Sequence, residues 1–209
     1  MSNSNRGREG FDKLFNVSRE TLARLDIYAE ELARWNEKIN LVSRNSLAEV
    51  WHRHFADSAQ LLALASETAG LWADFGSGAG FPGLVVAAMQ PDREVVLVES
   101  DQRKAAFLMN AAHKMGVAPR VESQRIESLA PLNAQVISAR ALAPLTKLLE
   151  FAAVHRVSNT ICLFPKGVQA ESELSVAQSH WHIELDQVSS LTDPAATILK
   201  IRDFSRVEA

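Results

Sequence analysis

Cysteine is almost missing from this chain: the single thiol, Cys162, excludes an intrachain disulfide and a thiolate-built zinc site, so nothing calls for an oxidising compartment. The 6 histidines come without an H-E-x-x-H pattern or a carboxylate cluster, and no metal centre is expected. Long apolar runs are lacking too. No stretch is long enough to span a bilayer, and the segment Met1 to Arg8 has no apolar secretory core, so a cytoplasmic protein without membrane contact is expected. A positive balance is missing as well: a formal charge of −3 and a pI near 6.1 argue against the basic coat that binds nucleic acid nonspecifically. What remains is 209 residues, 47% of them apolar, enough for a substantial core in one domain with a helical appendage and a monomer by default.

The most informative stretch is Leu71-Trp-Ala-Asp-Phe-Gly-Ser-Gly-Ala-Gly-Phe-Pro-Gly-Leu84, an apolar strand ending at Asp74, a glycine turn and a helix start. Gly76, Gly78 and Gly80 permit angles and close approach that a Cβ blocks, and Pro82 suits a first helical turn. A dinucleotide fingerprint needs a glycine at the sixth position of the loop, where the helix packs on the strand; here that position is Phe81. S-adenosylmethionine has no pyrophosphate and needs only a glycine bend and an acidic strand end, a demand Asp74 meets. The next strand, Glu94-Val-Val-Leu-Val-Glu99, is apolar throughout and ends in a carboxylate able to accept from both ribose hydroxyls. Glu99 supports a ribose-bearing cofactor without choosing between NAD and S-adenosylmethionine. A hydride-transfer site has little to work with, because the only tyrosine, Tyr28, is remote in sequence from the crevice.

Three regions follow: a flexible N-terminal arm over 1–17, a helical extension over 18–68 and a cofactor-binding domain over 69–209. Leu22, Leu25, Ala29, Leu32 and Trp35 recur at helical spacing, and Ser46 with Glu49 suggests a capping box for a second helix. Within it Arg53 and Asp57 share one face and His54 and Ser58 another. They form either a half-buried ion and hydrogen-bond network or a brace for the cofactor loop at the substrate mouth. A helix near Gln102 to Met115 would set His113 beside the sheet. Further strands fit Arg120 to Ser123, Gln135 to Ser138, Thr160 to Phe164, His182 to Val188 and Ala196 to Ile201. Helices containing Leu145 to Ala152 and Ala170 to Ser179 alternate with them, predicting a mostly parallel sheet with an antiparallel C-terminal edge.

Ligands of such sheets bind at the carboxyl ends of the strands, so the Asp74 to Gly83, Ser138-Ala-Arg140-Ala and Pro165-Lys166-Gly167 loops converge. Arg140 suits a carboxylate, a phosphate or a guanine edge, with Lys166 as a second cation; the bland alternatives pair Arg140 with Glu127 and leave Lys166 solvated. Arg120, Arg125, Arg140, Lys147, Arg156 and Lys166 are opposed in sequence only by Glu122, Glu127 and Glu150, which concentrates positive charge in the half that completes the crevice, with Lys147 and Arg156 read as isolated solvated side chains. Guanine N7 carries a lone pair and no proton, so positioning alone can serve methyl transfer without a general base. The loop lacks an Asp/Asn-Pro-Pro-aromatic motif for an exocyclic amine, and Cys162 sits in an apolar strand rather than at a reactive loop.

Trp35-Asn36, Asn40-Leu41, Arg53-His54-x-x-Asp57-Ser58, the Gly76 to Gly83 loop, Ser138-x-Arg140-Ala141 and Lys166-Gly167 together resemble the bacterial 16S ribosomal RNA (guanine-N7) methyltransferases, also called glucose-inhibited division protein B. The likeness runs from about residue 20 to the end. It implies a Rossmann-like S-adenosylmethionine-dependent α/β fold with an N-terminal helical extension, cytoplasmic location, and methylation of a guanine in the 530 loop of 16S rRNA, within the small subunit or an assembly intermediate. It further implies cofactor contacts at Gly76, Phe81, the backbone around Ile126 and Glu127, and Arg140, with Lys166 at the family's basic strand end. Phe81 replaces a common leucine, Ala79 a common proline and Glu99 a frequent aspartate. The alternatives are a small-molecule methyltransferase and a non-catalytic RNA-binding factor.

Overall fold

The computed structural model describes residues 6–208; the first five residues of the expected arm lie outside the described residues. Seven strands form one sheet: β1 (Trp72–Phe75), β2 (Val95–Val98), β3 (Arg120–Glu122), β4 (Ala134–Ala139), β5 (Arg156–Lys166), β6 (Trp181–Ser189) and β7 (Thr197–Arg206). Their order is β3-β2-β1-β4-β5-β7-β6, parallel except for β7, which runs against both β5 and β6. The order reverses between β1 and β4, opening a crevice at their carboxyl ends, where such folds take ligands.

The parallel strands are apolar on both faces because helices cover both. Trp72, Leu97 and Val136 face a core shared with α2 (Arg19–Asn36), α4 (Asp57–Leu64), α5 (Gly83–Met89) and α6 (Gln102–Met115). Phe75, Val98, Ile137 and Cys162 face the other way, onto α7 (Leu145–His155) and α8 (Ala170–Gln178). The helical extension therefore shares one core with a face of the sheet. α2 starts on Ser18, whose hydroxyl accepts from the Thr21 N–H, and buries Leu22, Leu25, Tyr28 and Leu32 at helical spacing.

Four expectations need correction. The arm is not uniformly loose: α1 (Arg8–Phe15) is helical and buries Phe11 against Trp51, with Arg8 paired to Asp26. Ser46 and Glu49 do not cap a helix start; Ser43 caps the short α3 (Arg44–Ala48), and Glu49 lies at its end. The following turn, Trp51–Ala56, is π-helical, which alters the face each side chain presents. His113 is exposed on α6, whose sheet side is Ala105, Leu108, Ala112 and Met115. Strands β5 and β7 run further than their apolar runs: Arg156 pairs with Ala134 on β4, and Asp203 to Arg206 pair with Trp181 to Glu184 on β6, with Phe204 buried.

Candidate active site

The glycine loop leaves β1 with Gly76, Gly78 and Gly80 all at positive φ, as a turn this sharp demands. Gly83 is needed for a different reason: a Cβ there would collide with Leu97 and Asp74, so the helix could not sit so close to the strand. That closeness lets the Gly83 N–H donate to Asp74 Oδ2 (3.2 Å). Asp74 and Ser138 are register partners on β1 and β4, and a buried chain runs from Trp72 Nε1 to Ser138 Oγ (2.8 Å) and from that hydroxyl to Asp74 Oδ1 (2.8 Å). Burial raises the Asp74 carboxyl to about 6 against the lowering pull of Ser138 and, more weakly, Arg140. From below, the fully buried Tyr28 phenol donates to Ala79 O. Burial lifts that phenol well above its ordinary value, so it stays a donor.

Two clefts open at the crevice. The first, about 390 Å³, is lined by Gly76, Gly78, Phe81, Glu99, Ile126, Glu127 and Arg140 among others. These include every cofactor position expected from sequence except Asp74, which is fully buried and supports the loop from behind. Glu99 accepts from the Gly78 N–H (2.8 Å) through one oxygen and the Asp101 N–H (2.7 Å) through the other. A carboxylate has about four acceptor sites, so lone pairs remain for two ribose hydroxyls. The Ile126–Ser128 turn is held by His155, which accepts from the Leu132 N–H at Nδ1 and so donates from Nε2 to Ile126 O (3.2 Å). Glycine backbone, an acidic strand end and an apolar Phe81 and Ile126 wall fit an adenosyl amino acid.

The second cleft, about 840 Å³, is lined by residues including His54, Asp57, Pro144, Lys166 and Glu173. It shares Arg140, Ala141 and Leu142 with the first. Leu142 leans over Gly76, where an added Cβ would lie 2.5 Å from its Cδ1. Arg140 pairs with Asp57 (3.2 Å) rather than Glu127, meets His54 Nδ1 (3.1 Å) and lies 4.8 Å above the Phe81 ring. Lys166 is not solvated: it donates to Glu173 Oε2 (2.7 Å) and Ala143 O (2.9 Å). Glu173 Oε2 also takes the Leu145 N–H (2.8 Å), so this pair pins the loop that divides the clefts.

The cationic mouth is also corrected. Arg120 pairs with Glu122, Lys147 with Glu150, Arg156 with Asp203, Arg140 with Asp57 and Lys166 with Glu173. Asp203, Asp57 and Glu173 lie outside the stretch from Arg120 to Lys166. Cys162 is a core residue, its thiol pushed up to about 12 by burial. Among the described residues no cluster of potential metal ligands occurs, and no helix is long and apolar enough to cross a membrane.

The family model described as GidB, rRNA small subunit methyltransferase G, matches residues 21–199. The chain belongs to this family. It is 48% identical over 196 residues to Ribosomal RNA small subunit methyltransferase G of Ruegeria sp. (strain TM1040), covering 92% of this chain and 95% of the relative. To the protein of that name from Paramagnetospirillum magneticum it is 48% identical over 194 residues, covering 92% and 94%. Among solved structures, a methyltransferase from Geobacter sulfurreducens superposes with TM-score 0.58 at 16% identity, over 85% of this chain and 88% of that one. A ribosomal protein L11 methylase from Lactobacillus delbrueckii gives TM-score 0.56 at 16% identity, over 72% and 77%. At such identities the structures establish the Rossmann-like α/β fold alone. The GidB assignment rests on the family model and the close relatives.

Sequence reasoning missed Tyr28, which it set apart from the crevice, and also His155, Leu142 and Glu173. For Tyr28 a signal existed: it lies on the apolar stripe of α2, three residues after Leu25 and four before Leu32. For His155 none did, since its partners lie 23 and 29 residues away, whereas Glu173 follows Lys166 by seven residues, at the start of the next helix.

Proposed function

We propose that this GidB-family protein transfers a methyl group from S-adenosylmethionine to N7 of a guanine in the 530 loop of 16S rRNA, acting as a monomer on the small subunit or an assembly intermediate. The observation that carries the reading is the meeting of two clefts at Arg140 to Leu142, at the point where the strand order reverses. When bound, the cofactor supplies a methyl group activated by a sulfonium. In the first cleft Gly76 and Gly78 present backbone, Glu99 accepts from ribose hydroxyls, and Phe81 with the Ile126 to Glu127 turn flanks the adenosyl portion. Asp74 acts through the loop it holds.

Guanine enters the second cleft beside Pro144 and Lys166. Guanine N7 brings its own lone pair and has no proton to lose, so what the chemistry would ask of these residues is alignment rather than a base. A donor bonded to N7 would occupy that lone pair. Arg140 therefore serves an oxyanion, not N7, while Lys166 keeps one N–H beyond those given to Glu173 and Ala143 for the RNA.

The test is transfer of labelled methyl to purified small subunits, deproteinised 16S rRNA and a panel of small acceptors, with the modified nucleoside mapped. A single 7-methylguanosine in the 530 loop supports the reading and identifies the substrate form. Labelling of small acceptors alone, or RNA binding without label, would replace it with one of the alternatives.

A further inference from the structure

Arg140 is held from the helical extension rather than from its own strand. Its Nη1 donates to Asp57 Oδ2 (3.2 Å) and lies 3.5 Å from Arg53 O, and its Nη2 lies 3.1 Å from His54 Nδ1. Asp57 is itself fixed through Oδ1 by Gln60 Nε2 (2.9 Å) and Thr192 Oγ1 (2.8 Å), which ties the extension to the β6–β7 connection. The His54 ring stacks on Phe81 at 4.6 Å and 11°.

A guanidinium only donates, so His54 Nδ1 must accept, and a neutral ring then carries its hydrogen on Nε2. Nε2 is buried and has no partner among the described residues, so the contact at Nδ1 is the one the ring nitrogens make there. We infer that His54, as the neutral Nε2–H tautomer, and Asp57 are positioning residues that hold Arg140 so that its Nε/Nη2 edge meets an oxyanion in the crevice. The inference rests on the cofactor reading of the first cleft.

Three of the five guanidinium N–H groups are engaged; Nε–H and one hydrogen on Nη2 remain, on the two nitrogens of a single edge. Such an edge matches a carboxylate or a phosphate bidentately. Burial, then Arg140 and Arg53, lower the His54 pKa to about 3, so the acceptor persists at physiological pH, with Asp57 the carboxylate that faces the same guanidinium. The oxyanion is either the cofactor's amino-acid carboxylate or an RNA phosphodiester.

His54→Phe keeps the stacking and removes the acceptor, whereas His54→Asn retains an amide oxygen near the Nδ1 position. Calorimetry would measure the Kd for S-adenosylmethionine and for 5′-methylthioadenosine, which lacks the carboxylate. Initial rates would give KM for the small subunit at several salt concentrations, and ring nitrogen shifts would report the His54 tautomer in the wild-type protein. The expected ring is neutral, with hydrogen on Nε2, from pH 5 to 8. His54→Phe should weaken the oxyanion ligand about tenfold, and His54→Asn should restore most of it.

A loss for S-adenosylmethionine but not methylthioadenosine assigns the carboxylate. A raised subunit KM with a salt slope smaller by about one, and an unchanged cofactor Kd, assigns the phosphate. The inference is overturned by hydrogen on Nδ1, by a protonated ring, by a His54→Phe protein with wild-type Kd and KM, or by equal defects in both variants at wild-type melting temperature. A wild-type protein that bound no cofactor would sink the functional reading instead, and the tautomer would still decide this one.

Discussion

Replacing Asp74 with asparagine should make the protein more stable at neutral pH while impairing its site. The carboxyl is completely buried and its pKa is raised to about 6, mainly by desolvation. In the unfolded chain it would titrate near 3.9. A raised pKa means that the native state holds the proton more tightly, so the favourable contribution exists below pH ~4 and is lost as pH climbs through ~6. With about 1.36 kcal/mol per unit, roughly two units correspond to about 3 kcal/mol across that window.

Asparagine does not titrate there, so the stability difference between Asp74→Asn and wild type should rise by about 3 kcal/mol between pH 4 and 7. The substitution has its own offset. Gly83 N–H and Ser138 O–H both donate to the carboxylate, and an amide oxygen in place of two oxygens leaves one of them without its acceptor, costing about 1 kcal/mol. That offset moves the baseline and leaves the slope with pH intact. Net stabilisation at pH 7 is then about 2 kcal/mol, against a weaker hold on the glycine loop. Urea denaturation of both proteins at half-unit steps from pH 4 to 7.5 measures it. A difference that stays flat over this range would refute the reasoning, because a buried carboxyl governed by desolvation must titrate inside it.

Other substitutions probe the same frame. Tyr28→Phe leaves Ala79 O without its buried donor and should cost about 1–2 kcal/mol in urea titrations while raising the Kd for S-adenosylmethionine, since Ala79 lies in the loop itself. Glu173→Gln can still accept the Leu145 N–H but no longer neutralises Lys166; a loss of about 1–2 kcal/mol and a larger fall in kcat than in cofactor affinity are expected from stopped methyl-transfer assays. Gly83→Ala drives a methyl group into Leu97 and Asp74 and should lower stability by about 1–3 kcal/mol, read as a drop in melting temperature. Arg140→Ala should abolish most methyl transfer with a far smaller effect on folding; equal losses of both would make Arg140 a structural residue.

The parts of this fold that were legible in sequence are those set by local pattern. Continuous apolar runs marked β1, β2, β4 and the apolar half of β5, and their alternation with helical stripes gave the parallel sheet and its antiparallel edge. The glycine loop announced the first cleft because backbone geometry there depends on the residue type itself. Pairing across the fold was not legible. Sequence offers Arg140 a ligand at the mouth or, as the bland alternative, Glu127, yet the extension brings His54, on its π-helical turn, and Asp57, at the start of α4, to it from more than eighty positions away. Sequence offers Lys166 a ligand contact or solvent, while its partner Glu173 stands in the first turn of the next helix. The two cases share one physical root: charge partners are chosen by the packing of layers, which hold Arg140 and Lys166 of the crevice in such pairs. Recognition of RNA by this protein must then draw on few free charges, among them Lys104 and Arg125 at the edge of the first cleft, and on the shape of the second. That predicts a shallow salt dependence of substrate binding, corresponding to about two or three neutralised phosphates rather than the six to ten of a basic nucleic-acid binder. A steep slope, measured as KM for the small subunit against salt, would show that paired arginines release their partners when RNA docks.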